Sequence, residues 1–288
     1  MAALVLAVLL TYSAASAATY DEFGAPQPVL IEGYAGSAME PFISPDGQHL
    51  LFNTSNAPPG VPSLQLASHV AGQDFDYQGE LPGEAVNEPG DLSGTPSMDV
   101  DGELFFVSNR SYEQTLSTIY SGVLSGGSVT GVHLVRGVSA ARPGLVDFDA
   151  SISSDGEALY VSIGDFSSGT GPTSATIALF DRSADGFTVD PISAKLLKAV
   201  NKPRTLDYAA CVSSDGLEIF FTRAKPPKSE PAIYRAYRRK LGKPFGHVQQ
   251  VSAISGFSEA PSLTADGRTL YYHHLSNGQF EIETVTRP

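Results

Sequence analysis

An Asp-Gly turn recurs in five similar stretches, at Asp46, Asp101, Asp155, Asp215 and Asp266, and the residues able to do chemistry stand at set distances from it. Glu40 and Asp149 lie six places before a turn aspartate, Asp147 and Asp207 eight before, and Glu259 seven before. Two carboxylates across an open cleft are what glycoside hydrolysis needs, one as acid and one as base or nucleophile. Glu40, Asp149, Asp207 and Glu259 are therefore the catalytic candidates. Strand parity puts the residues six and eight before the turn on one face; Glu259, seven before, is at the same end of the strand with the opposite parity, which leaves its direction open. The loops after the second strand of each repeat bring further polar groups to the same end. Asn109, Arg110, Arg223 and His273, with Asp147 and Tyr208, are the candidates for holding a ligand. The plainer alternative is that these carboxylates bond loop amides or pair with Arg110 and Arg223.

Other chemistry is thinly represented. There is no phosphate-cradling glycine loop, paired-cysteine zinc site, HExxH run or GxSxG elbow, so no cofactor and no metal are expected. Asp99-Val-Asp101-Gly-Glu103 looks like the start of a calcium loop, but the four sister copies lack its first acid, which favours a hairpin turn. His273 and His274 are adjacent on one strand and point to opposite faces, a poor arrangement for one metal. Tryptophan is absent, leaving Tyr34, Phe148, Phe166, Tyr208 and Tyr272 as aromatic platforms for a ligand.

These residues are positioned by a repeat. GTPSMDVDGELFFVSNR from Gly94 recurs as EPFISPDGQHLLFNT from Glu40, DASISSDGEALYVSIG from Asp149, AACVSSDGLEIFFTR from Ala209 and APSLTADGRTLYYHH from Ala260. Each copy reads as a small-residue strand, an Asp-Gly turn and a strongly apolar strand, which is a β-hairpin. The turn aspartates are 55, 54, 60 and 51 residues apart, room for one four-stranded propeller blade per repeat. Third strands are expected at Pro62 to Ser68, Ser117 to Leu124, Ala175 to Asp181, Ala232 to Arg238 and Phe280 to Thr286. Fourth strands are expected at Asp76 to Glu80, Val129 to Arg136, Phe187 to Leu197 and Gly246 to Ala253, with at most one helical turn near Ser193 to Val200. FGAPQPV from Phe23 parallels FGHVQQV from Phe245, so an N-terminal strand, Phe23 to Glu32, should close the last blade. The fold class is all-β: a five-bladed β-propeller closed by its N-terminal strand. Residues 18–288 form a single domain, with blades about 37–90, 91–144, 145–204, 205–256, and 257–288 joined by 20–36.

Residues 1–17 carry an apolar run ending Ala15-Ser16-Ala17, the shape of a secretion signal without a basic n-region, so a periplasmic or extracellular bacterial location is expected. The lone Cys211 reads as a small core residue. A net charge of -13 argues against nucleic acid and anionic membranes, and no transmembrane segment is expected.

EPFISPDGQHLLF, with LFFVSNR and TIYSG in the next copy, resembles the TolB-type, WD40-like propeller repeat; Ala150 and Ala210 stand where that repeat carries proline. The resemblance implies the propeller fold. Regular repeats with no nucleophile beside an oriented base, behind the secretion-like leader, point to a monomeric, exported ligand- or protein-binding module without catalysis, its partner a protein or a glycan at the axial mouth. The alternative is a carbohydrate-active enzyme, glycoside hydrolase or lyase, using the mouth carboxylates.

Overall fold

The computed structural model describes residues 20–56, 60–169 and 171–288, so the leader expected at 1–17 lies outside the described residues. The chain opens with two short strands, β1 (Gln27–Pro28) and β2 (Leu30–Glu32). Blade 1 follows as β3 (Met39–Ile43), β4 (His49–Asn53), β5 (Leu64–Ala71) and β6 (Asp74–Glu80). Blade 2 is β7 (Ser93–Met98), β8 (Glu103–Ser108), the one-turn helix α1 (Tyr112–Thr115), β9 (Ile119–Ser125) and β10 (Ser128–Leu134). Blade 3 is β11 (Leu145–Ile152), β12 (Ala158–Asp165), β13 (Ala175–Ser183), β14 (Gly186–Val189) and the short helix α2 (Ser193–Leu196). Blade 4 is β15 (Leu206–Val212), β16 (Glu218–Lys225), β17 (Ser229–Tyr237) and β18 (Gly246–Gln250), and blade 5 begins with β19 (Ser258–Leu263), β20 (Thr269–Ser276) and β21 (Gln279–Thr286).

Within each blade neighbouring strands pair antiparallel in chain order, and β1 supplies the fourth strand of blade 5 by pairing antiparallel with β21. The molecule is an all-β propeller closed by its N-terminal strand. The closing segment is not one strand: Gly24 N donates to Thr286 O (2.8 Å) and Val29 N to Ile282 O (3.0 Å), after which β2 crosses to run parallel to β6 of blade 1. Blade 3 departs from expectation as well. Its outer strand ends at Val189 and the sequence to Leu197 turns into α2.

The core follows the ring. Each pair of neighbouring blades shares one apolar cluster, and the cluster between blades 4 and 5 holds Phe23 against Phe220, Ile233, Leu270 and Val285. Strands of an inner ring have large apolar residues on β4, β8, β12, β16 and β20 to bury between blades, while the innermost strands stay small around a narrow axial cavity of ≈ 40 Å³.

The turn face is uniform. In blades 3, 4 and 5 the residue two before the turn aspartate donates its hydroxyl to it (Ser153–Asp155, Ser213–Asp215 and Thr264–Asp266, all 2.6 Å), and in blade 2 Asp99 takes over by accepting from Asp101 N (3.0 Å) and Glu103 N (2.9 Å). That settles the Asp99 to Glu103 segment as a hairpin turn. Three arginines repeat a further device: Arg182, Arg238 and Arg287 donate Nε to the turn carbonyls of Gly156, Gly216 and Gly267 (2.5, 2.7 and 2.7 Å). Their guanidinium groups lie 4.8, 4.4 and 4.9 Å from the rings of Phe187, Phe245 and Phe23. Phe23 thus takes the place in blade 5 that Phe245 takes in blade 4, as their matching sequences imply.

Candidate functional site at the axial mouth

The opposite face is built on a bulge. The register of every innermost strand with its neighbour shifts near its start: at Met39/Phe42, Gly94/Ser97, Asp147/Asp149, Tyr208/Cys211 and Glu259/Ser262. Glu40, Thr95, Ala209 and Ala260, each six places before a turn aspartate, are left-handed there (φ 53, 51, 49 and 53°), a conformation that non-glycine residues adopt at a cost. What holds them is a side chain from the preceding blade that receives their N–H. Glu40 N donates to His273 Nδ1 (2.9 Å), Thr95 N to Asn53 Oδ1 (3.1 Å), Ala209 N to Ser162 Oγ (2.9 Å) and Ala260 N to Thr222 Oγ1 (3.0 Å). The His273 link joins the last blade to the first.

Because a bulge inserts one residue, it breaks the simple alternation of side chains. Glu259, whose parity differs from that of the other mouth acids, points into the mouth: its Oε1 accepts from the Tyr208 hydroxyl and its Oε2 lies 3.1 Å from His273 Nε2. Since His273 Nδ1 accepts the Glu40 N–H, Nε2 carries the proton and donates to Glu259. His273 is buried and orients this acid.

Glu40, Asp149 and Glu259 form one cluster. Burial pushes the Glu40 carboxyl up to about 7; the His273 ring opposes this, and Asp149 and Glu259 add to it. Burial likewise pushes Asp149 up to about 7, against a 3.3 Å hydrogen bond from Ser162 Oγ. Among the described residues neither Glu40 nor Asp149 has an arginine or lysine partner.

Asp207 does not belong to this cluster. It is fully buried, paired with Arg223 Nε (2.5 Å), and its other oxygen accepts from Lys202 N (2.8 Å) and Thr205 Oγ1 (2.7 Å). Arg223 is stacked on Phe221 and Tyr234 and bonded to Val200 O, so it offers a ligand nothing. Asp147, at the equivalent position of blade 3, faces Ile163 across the strand pair where Asp207 faces Arg223. Its buried Oδ2 has no hydrogen-bond partner among the described residues, and burial pushes the carboxyl up to about 6. Arg110 is spent on Ala85 O (2.6 Å), Val86 O (3.2 Å) and the Tyr120 ring, and Asn109 Oδ1 accepts from Leu92 N (2.9 Å). The expected aromatics divide: Tyr34 packs with Phe52 and Tyr77, and Tyr272 is buried, whereas Phe148 stands between Phe166 (5.4 Å) and Tyr208 (5.7 Å) at the mouth.

A groove of ≈ 390 Å³ runs outward over blades 1 to 3, lined by Leu92, Val107, Tyr112, Val146, Phe148 and Phe166. It shares Glu40 and Thr95 with the axial cavity, so the acids stand at its inner end. Phe148 and Phe166 are among the aromatic platforms expected from the sequence, whereas Leu92, Val107, Tyr112 and Val146 are not, because they come from a loop, two strands and a helix far apart in the chain. Among the described residues no group of three or more His, Cys, Asp or Glu side chains is placed to hold a metal, and no helix is long and apolar enough to cross a membrane.

No protein-family model matches the sequence, and no curated protein matches it. Solved structures do. A protein described as a glycoside hydrolase superposes with a TM-score of 0.67 at 12% identity, over 93% of both chains. An endo-arabinase from Bacteroides thetaiotaomicron does so with a TM-score of 0.55 at 10% identity, over 91% of this chain and 98% of that one. A protein named for its likeness to TolB, from Agrobacterium tumefaciens, reaches a TM-score of 0.50 at 14% identity, over 94% and 92%. These likenesses establish the propeller fold. Both glycoside hydrolases and TolB-like propellers share it.

Proposed function

We propose that the protein is an exported propeller that binds a glycan at its axial mouth, acting as a binding module. The observation that carries this reading is the pair Glu40 and Asp149, two mouth carboxyls raised to about 7 with no arginine or lysine paired to either among the described residues. Near neutral pH such a pair is partly protonated, so it both donates and accepts hydrogen bonds, which suits the hydroxyls of a sugar. An anionic ligand would meet only like charge. Buried acids without a cation partner lower stability, and a fold that keeps them has a use for them outside folding. The TolB-type repeat EPFISPDGQHLLF and the expected leader support an envelope or extracellular location.

Hydrolysis is the second reading, favoured by the same two acids: a carboxyl near 7 is matched to general acid catalysis, and a neighbouring ionised one to base or nucleophile. The test is a thermal-shift screen against neutral polysaccharides, followed by reducing-end release on each hit. A ligand at 100 times its dissociation constant stabilises by about 2.7 kcal/mol. Stabilisation without release supports the binding module. Release that Glu40→Gln and Asp149→Asn abolish while the proteins stay folded converts the assignment to a glycoside hydrolase, and no stabilisation by any glycan removes both.

A further inference from the structure

Seven places before the turn aspartate, at the bulge, the five blades carry Met39, Gly94, Phe148, Tyr208 and Glu259. Blades 3, 4 and 5 therefore set a large side chain, Phe148, Tyr208 or Glu259, at the rim of the mouth, blade 1 buries its Met39, and blade 2 has no side chain there. The groove lies where that side chain is missing: Gly94 is part of its lining, and a Cβ on Gly94 would stand 3.0 Å from Asn53 Oδ1 and 3.4 Å from Glu40 Oε2. Gly94 lies outside the left-handed region, so the backbone does not demand glycine here. Space does. A second glycine serves the far wall: a Cβ on Gly164 would come within 2.7 Å of the Phe166 ring and 2.9 Å of the Phe148 ring, so its absence lets both rings fold over β12. Where groove meets axial cavity, the buried Thr95 Oγ1 has no hydrogen-bond partner among the described residues.

We infer that this groove is a subsite for a flat aromatic group attached to the mouth ligand, with the atom linking it to the sugar set against Thr95 Oγ1 and the Glu40 carboxyl. The inference deepens the glycan reading and rests on it. Phe148, Phe166 and Tyr112 offer ring edges and faces for stacked and edge-to-face contacts, and Leu92, Val107 and Val146 complete an apolar wall. The volume of ≈ 390 Å³ lies in the range of small-molecule pockets, which runs from about 300 Å³ upward. Glu40 is the one charged residue lining the groove among the described residues, at its inner end, so the outer groove selects an uncharged body.

The experiment compares the dissociation constants of 4-nitrophenyl and methyl glycosides of the same sugar, and of 2-naphthol alone, on the wild-type protein and on Gly94→Met and Phe166→Ala. The aryl glycoside is expected to bind about tenfold tighter than the methyl glycoside, the equivalent of one or two good ring contacts. Both substitutions should bring that ratio to about twofold or less. Gly94→Met should also abolish 2-naphthol binding. Should Gly94→Met not fold, the ratio in Phe166→Ala decides. Equal affinity for the two glycosides in the wild type, or a ratio that survives in the folded variants, overturns the subsite. If no glycoside binds but 2-naphthol does and loses affinity in the variants, the groove stands and the glycan reading falls; if 2-naphthol binds equally to all three proteins, the groove falls.

Discussion

The two faces of the ring treat the same functional group in opposite ways. On the turn face, a hydroxyl two residues earlier and a following backbone N–H satisfy the turn carboxylate in blades 1, 3, 4 and 5; the Ser153 and Thr264 hydrogen bonds hold Asp155 and Asp266 below the usual carboxylate range. At the mouth, burial with few donors holds Glu40 and Asp149 far above it. Loops that repeat can be optimised once for stability, whereas the mouth receives a different side chain from each blade and gives up stability for a group that stays available. The sign of the pH dependence follows. Glu40 and Asp149 have folded pKa values raised above their unfolded ones, so their contribution to stability is full below about pH 4 and is lost as pH rises to about 7. Asp155 and Asp266 are depressed, so theirs is present at neutral pH and is lost as pH falls below the ordinary carboxylate range.

The largest effect that would break this contrast is at position 207. Asp207 is an acid of the mouth end handled in the turn-face manner, fully paired, so Asp207→Ala should cost about 3 to 5 kcal/mol in urea unfolding by stranding Arg223. Asp147→Val at the equivalent site of blade 3 should leave stability unchanged or raise it, because that carboxyl has no cation to strand. Equal losses would mean that pairing does not separate the two sites. At the raised mouth acids, the double variant Glu40→Gln/Asp149→Asn should be more stable than the wild type at pH 8 and indistinguishable from it at pH 4, since a carboxyl raised to about 7 stabilises the fold only while protonated. A smaller effect is expected on the turn face: Gly102 has a φ of +85° and a Cβ there would lie 3.0 Å from Leu124 O, so Gly102→Val should cost on the order of 1 kcal/mol or more without altering ligand affinity.

Much of the fold was legible because the Asp-Gly turn and the apolar strand after it are local signals repeated at blade spacing, and because Phe23-Gly24 copies Phe245-Gly246 closely enough to betray ring closure. The site was legible only in part. Position at the strand entry brought Glu40, Asp149 and Glu259 to the mouth, but counting alternate residues left the direction of Glu259 open, since a one-residue bulge between Glu259 and Ser262 resets the alternation. The same count could not separate Asp147 from Asp207, whose fates depend on whether Ile163 or Arg223 stands across the strand pair. The arginine that caps the turn carbonyl in blades 3, 4 and 5 went unseen as well. Its contact to the glycine and its stacking on phenylalanine join residues from separate strands at spacings that differ between blades.

The claim that the mouth is the working face is tested most directly by the affinity of one glycan hit for three folded proteins: wild type, Asp149→Asn and Asp155→Asn. Asp149 and Asp155 stand six residues apart on the same hairpin, one at each face. Asp149→Asn should weaken binding by about tenfold or more, the worth of one charged or shared-proton hydrogen bond, and Asp155→Asn should leave it unchanged. Binding lost in Asp155→Asn and kept in Asp149→Asn would contradict the claim.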